Sequence, residues 1–150
     1  MSVVINPHPA FWAPGHLVIP DQPDKPFVFK YKARFRHLSE AEQKDLDDKI
    51  ALNQERQQAH FQAILKREPV PKFEAAITDK EIVALVMVDW EGFTDAEKKP
   101  VPYTPAARDQ ACADTRGLDA SFCRAYLEAR NPSQVLKDAE KNSEAPPATT

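Results

Sequence analysis

The chain has 150 residues, 42% of them hydrophobic and 29% charged, which suits one globular domain. Its 23 acidic side chains outnumber 20 lysines and arginines, giving a net charge of -3. A general nucleic-acid binder would show a basic excess, and a membrane-surface protein a cationic patch, so neither class is expected.

Residues 1–20 carry no charge, but Pro7, Pro9, Pro14 and Pro20 interrupt them. Each proline removes a backbone donor and clashes with a preceding turn, so no membrane-spanning helix can form there. No basic leader precedes an apolar core, so no cleaved secretion signal is expected, and a reducing cytoplasm is the default compartment. Prolines recur at 7–26, 69–71, 100–105, 132 and 146–147 and mark the breaks between elements. We expect a proline-rich arm over 1–15 and a single globular domain over 16–132. A short helix and disordered tail should occupy 133–150.

Residues 27–36 alternate with period two. Phe27, Phe29, Tyr31, Ala33 and Phe35 share one face, and Val28, Lys30, Lys32, Arg34 and Arg36 the other, as in a half-buried strand. His16 to Ile19 is its hairpin mate. Ser39 with Glu42 forms a capping box that opens a long helix over 40–67. That helix is thin in apolar residues, with Leu46, Ile50, Ala59 and Ile64 on its main line. It is therefore either solvated or completed by another chain. Thr78 with Glu81 forms a second box. The apolar run from Ile82 to Trp90 fits a strand or a helix by pattern, and the box tilts the reading to helix. Thr104 and Pro105 start a third helix, stopped by Gly117. Asp119 caps a fourth, carrying Phe122, Cys123, Tyr126 and Leu127. The fold class is α+β, mostly α: an N-terminal hairpin followed by a small bundle of about four helices.

The residues offer no pattern for catalysis. His8, His16, His37 and His60 lack metal-ligand spacing, and Gly15, Gly92 and Gly117 are too isolated for a phosphate-cradling loop. Asp45, Asp47 and Asp48 alternate with Lys44 and Lys49, as on a salt-bridged surface. Cys112 and Cys123 read as packing thiols. We expect no enzyme, no cofactor and no metal. Lys30, Lys32, Arg34 and Arg36 are the candidate partner-binding face, with no carboxylate between them. A solvated face and a nucleic-acid surface are the competing readings. Trp90, Phe93 and Tyr103 are either interface anchors or aromatics folded onto the core.

The order of several segments resembles the tail assembly chaperones of long-tailed, non-contractile bacteriophages. The segments are the hairpin ending Ala33-Arg34-Phe35-Arg36-His37-Leu38-Ser39, the polar helix, and Val88-Asp89-Trp90-Glu91-Gly92-Phe93. Pro100-Val101-Pro102-Tyr103-Thr104-Pro105 and Ala125-Tyr126-Leu127-Glu128-Ala129 follow. Trp90, Gly92, Phe93, Pro102, Tyr103 and Tyr126 carry the motif in a structural role. The turn Asp95-Ala96-Glu97-Lys98-Lys99-Pro100 departs from the family's Asp-Glu-Asp-Gly-x-Pro by lacking glycine, and the third helix is unusually polar. The resemblance implies a protein of the host cell cytoplasm that binds the tape measure protein and assists tail tube polymerisation without entering the virion. It also implies a frameshifted longer form that recruits the tube protein, and a homo-oligomer is possible. A minor tail or connector subunit of the virion is the alternative function.

Overall fold

The alternation around residues 27–36 does build a strand, but its pairing begins earlier than the sequence suggested. The computed structural model describes residues 9–131 and Glu140. The rest of the expected tail after residue 131 lies outside the described residues. Strand β1 (Ala10–Gln22) runs antiparallel to β2 (Lys25–Arg36), with Leu17 opposite Phe29 and Ala10 opposite Arg36. Residues 10–15, assigned to the proline-rich arm, are thus the first half of a strand. Phe11, Ala13, Gly15, Leu17 and Ile19 turn inward, while Trp12, Pro14, His16 and Val18 are exposed. β1 is an edge strand, where proline is tolerated because an outward amide has no ladder partner.

Both capping boxes form. Ser39 Oγ accepts from the Glu42 amide and Glu42 reaches back to the Ser39 amide, opening α1 (Glu40–Leu65). Thr78 and Glu81 repeat the arrangement at α2 (Asp79–Val86). The helix expected to continue to Trp90 stops there. At Met87 the backbone turns extended (φ -80°, ψ 132°) and residues Met87–Glu91 become β3. β3 pairs with β2 through Lys32↔Glu91 and Arg34↔Asp89. Val88 and Trp90 favour a strand, and the ladder on β2 satisfies their backbone in a way that local pattern cannot reveal.

Thr104 caps α3 (Pro105–Asp114), its hydroxyl accepting from the Ala107 amide at 2.9 Å. Gly117 does not stop α3, which ends before it. It is the N-cap of α4 (Leu118–Ala129), with φ +86°, a conformation glycine adopts without strain. Asp119, expected as the cap, lies inside the first turn and accepts from the Ala120 amide.

The architecture is α+β, a three-stranded antiparallel sheet in the order β1-β2-β3 with four helices. α4 lies against β1 and β2, and α2 and α3 lie against α4. Tyr31, Ala33, Phe35, Val86, Leu118, Phe122 and Tyr126 form the centre of the core. Two expectations need correction. The hairpin is part of a larger sheet, and the four helices do not form one bundle, because α1 makes no extensive contact with another element.

Candidate functional site

The aromatic elbow folds onto the core. Trp90 is only 5% exposed, stacks on Phe93 with centroids 4.2 Å apart, and donates its indole N–H to the Val101 carbonyl. Tyr103 meets Trp90 edge-on, donates to the Met87 carbonyl and accepts from Arg108 Nη1 at 2.9 Å. Arg108, a charged residue of α3, is therefore buried and spent on structure. Gly92 has φ +98°, and a Cβ there would lie 3.3 Å from the Lys30 carbonyl oxygen. Tyr126 is buried elsewhere, against Phe11 and Phe35, and Pro102 is exposed. Apart from Pro102, the motif residues pack into the body.

Between Phe93 and Val101 the chain makes a tight loop. Asp95 Oδ1 accepts from the Glu97 and Lys99 amides. Lys98 has φ +62°, the left-handed region that favours glycine. It occupies the position where the pattern described above carries glycine.

Sheet and α4 are joined by a polar contact that sequence reasoning missed. Ser121 Oγ donates to the His16 carbonyl at 2.8 Å, which leaves the Tyr31 hydroxyl to donate to Ser121 Oγ at 2.5 Å. Burial pushes the Tyr31 hydroxyl up to about 12. Gly15 sits opposite Tyr31, and a Cβ there would meet the ring at 2.3 Å. The period-two run through Phe11, Ala13, Gly15 and Leu17 is the signal that could have placed this pair.

The expected basic face divides in two. Lys30 and Lys32 are exposed, with no ion pair among the described residues, beside a surface cavity of about 650 Å³ that His16, Glu91 and Gly92 also line. Arg36 is half-buried: its Nε donates to the Leu85 carbonyl at 2.7 Å and its Nη2 to Glu42 at 2.7 Å. The Arg36 guanidinium and the Ser39 amide pull the Glu42 carboxyl down to about 2. Arg34 is also half-buried, its guanidinium 5.9 Å from the centre of the Trp12 ring. β3 sets Asp89 and Glu91 opposite Arg34 and Lys32. The stripe is consequently not free of carboxylates, and only its two lysines stand open to solvent. Phe27, expected inward, is 54% exposed, because the hairpin tip extends past the core.

The third surface is an arm. With about 1.5 Å of rise per residue, the 26 residues of α1 span roughly 39 Å. Its N-terminal half is held by Leu46 in the core, and by Asp47, which pairs with Arg130 at 2.9 Å. Arg67, at φ +54°, reverses the chain after Leu65. Residues 66–77 then return along the helix. Asn53 donates to the Ile77 carbonyl and accepts from the Ala76 amide, Arg56 donates to the Glu74 carbonyl, and His60 contacts the Pro71 carbonyl. At the far end Phe61, Ile64, Leu65, Val70 and Phe73 are all exposed, Phe61 by 58% and Leu65 by 61%.

Among the described residues, no group of three or more His, Cys, Asp or Glu side chains could hold a metal ion, and no helix is long and apolar enough to cross a membrane. Burial raises the Cys112 thiol to about 11 and that of Cys123 to about 12, away from the reactive thiolate. Compared with known proteins, the chain matches no family model, no curated protein and no solved structure.

Proposed function

We propose that this protein is a non-enzymatic tail assembly chaperone of a long-tailed bacteriophage. It acts in the host cell cytoplasm, binds the tape measure protein and assists tube polymerisation, and is absent from the finished virion. The observation that carries the reading is the arm. Phe61, Ile64 and Leu65 lie uncovered on a helix that overhangs the body. An apolar helical stripe is the complement of another amphipathic helix, and a tape measure protein is a long helical chain with such stripes. Lys30 and Lys32 offer a second, charge-steered contact on the sheet. The left-handed Lys98 also supports the reading, since it gives the loop the conformation that the resembled pattern obtains with glycine.

Co-expression with the tape measure protein tests it. The client should become soluble and co-elute with the chaperone in size exclusion at moderate salt. Phe61→Glu with Leu65→Glu should abolish capture, whereas Lys30→Glu with Lys32→Glu should mainly slow association. An insoluble client in the presence of the wild-type chain defeats the proposal. Recovery of the chain from purified virions by mass spectrometry would instead make it a minor tail or connector subunit.

A further inference from the structure

The overhanging end of the arm, where α1 turns back into the return segment, gathers apolar surface that the body leaves uncovered. The turn is tight, with the Arg67 amide donating to the Ile64 carbonyl and the Glu68 amide to the Ala63 carbonyl. Phe61, Ile64 and Leu65 on the helix and Val70 and Phe73 on the return segment are 39–61% exposed. They are five of the eleven large hydrophobic side chains that the described residues expose, and all five fall within residues 61–73. Singly scattered apolar side chains are ordinary on a surface, whereas a cluster marks a contact. The two legs of the turn form one end, because the Phe73 ring meets the His60 ring edge-on at 6.3 Å.

Charge indicates what this end would meet. From Gln57 to Phe73 the chain holds Lys66, Arg67 and Lys72 against one carboxylate, Glu68, and all four are exposed. No ion pair engages any of them among the described residues. Glu55 and Glu74 stand back along the arm with Arg56, whose Nη1 donates to the Glu74 carbonyl. The acids near the start of α1 are matched within the chain: Glu42 with Arg36, Asp45 with Lys49, Asp47 with Arg130 and Asp48 with Lys44. The net charge of -3, which argued against a cationic patch, averages over these two ends. Apolar side chains interspersed with unpaired cations complement a surface that is anionic on top and hydrocarbon beneath. A neutral bilayer would leave the cations without a partner, and a nucleic-acid backbone would leave the apolar side chains in water. Apolar side chains on both legs of the turn make an end rather than a groove, and an end presents itself to a plane.

We propose that this end of the arm docks the protein on an anionic lipid surface. Phe61, Leu65, Val70 and Phe73 enter the boundary between headgroups and acyl chains, while Lys66, Arg67 and Lys72 meet the lipid phosphates. The contact is peripheral and reversible, since a few side chains bury far less apolar surface than a spanning helix. The proposal goes beyond the chaperone reading and stands without it. A client helix and the bilayer would compete for Phe61 and Leu65.

Sedimentation of the full chain with vesicles of phosphatidylglycerol and phosphatidylcholine tests this. Each cation near an anionic surface favours binding about fivefold, so three cations less one carboxylate should favour these vesicles over pure phosphatidylcholine by roughly thirtyfold. Binding should weaken as salt rises. Phe61→Ser with Leu65→Ser should lose about tenfold or more in binding, with unchanged helical circular dichroism and an unchanged thermal midpoint. Lys66→Gln with Lys72→Gln should bring binding to the anionic vesicles close to that for neutral ones. In a Cys112→Ser background, an environment-sensitive dye on Leu65→Cys should shift to the blue when anionic vesicles are added, and one on Lys44→Cys should not. A wild-type chain that ignores anionic vesicles at low salt overturns the proposal. So does equal affinity for neutral vesicles, full binding by the serine variant, or an unshifted dye at position 65. Capture of an acidic amphipathic peptide without vesicle binding overturns it in favour of a protein partner. Vesicle binding found together with an insoluble client overturns the chaperone reading alone.

Discussion

Arg36 shows how a residue's neighbours decide its meaning. In the sequence it is the last of four alternating cations. In the fold it ties β2 to the end of α2 through the Leu85 carbonyl, and to the start of α1 through Glu42. The Glu42 carboxyl lies at about 2, below its ordinary value of 4.5. A depressed folded-state value means that the unfolded chain takes up the proton first, so the pair stabilises the fold above pH 4.5. That contribution is lost as pH falls through 4.5 toward 2. Urea titrations across this window should show a steeper loss of stability in the wild type than in Arg36→Gln. Parallel curves for the two proteins would remove Arg36 as the cause. Arg36→Gln should also be less stable at neutral pH, because it forfeits the bond to Leu85.

At the scale of elements, α1 contrasts with β3. Beyond the anchorage of Leu46 and Asp47 on the body, the arm is held locally. A capping box starts it, a left-handed residue ends it, and its return strap is held by Asn53, Arg56 and His60. With so few contacts to the body, such a unit opens more readily than the core. Asn53→Ala removes both of its bonds to the strap, and the expected cost is about 1–2 kcal/mol. Limited proteolysis should then cut first within residues 66–77, with the sheet still protected. Cleavage appearing first in β1 or β2 would show that the strap is held by something else. β3 is the opposite case, existing only because β2 offers it a ladder.

For the whole molecule, body and arm should respond differently to the loss of an aromatic side chain. Phe35 is fully buried between Phe11 and Tyr126, and Phe35→Ala should cost about 3–5 kcal/mol. Phe61 is mostly exposed, and Phe61→Ala should shift monomer stability by no more than about 0.5 kcal/mol. Chemical denaturation of both variants at low protein concentration checks the contrast. Similar losses would mean that the arm's apolar side chains are buried in solution. A silent effect on stability with a lost interaction is what a binding surface requires, and it separates function from folding on this chain.

Local patterns determined what depends on neighbours in sequence. The two capping boxes, the Thr104-Pro105 helix start, the period-two strand and the thin apolar content of α1 were all legible, because each rests on residues one to four positions apart. The hairpin's upstream mate was legible too, although its proline content concealed the first half. The tertiary structure decided what depends on distant partners. It turned Met87–Glu91 from helix to strand, moved Arg34 and Arg36 from a free charged face into structural contacts, and joined Tyr31 to Ser121 across 90 residues. It also left Phe61, Ile64 and Leu65 of α1 uncovered. Leu46 and Ile64 stand on the same apolar line of that helix, yet one is buried and the other exposed. Only the finite extent of the body determines which part of it is buried and which is left for a partner.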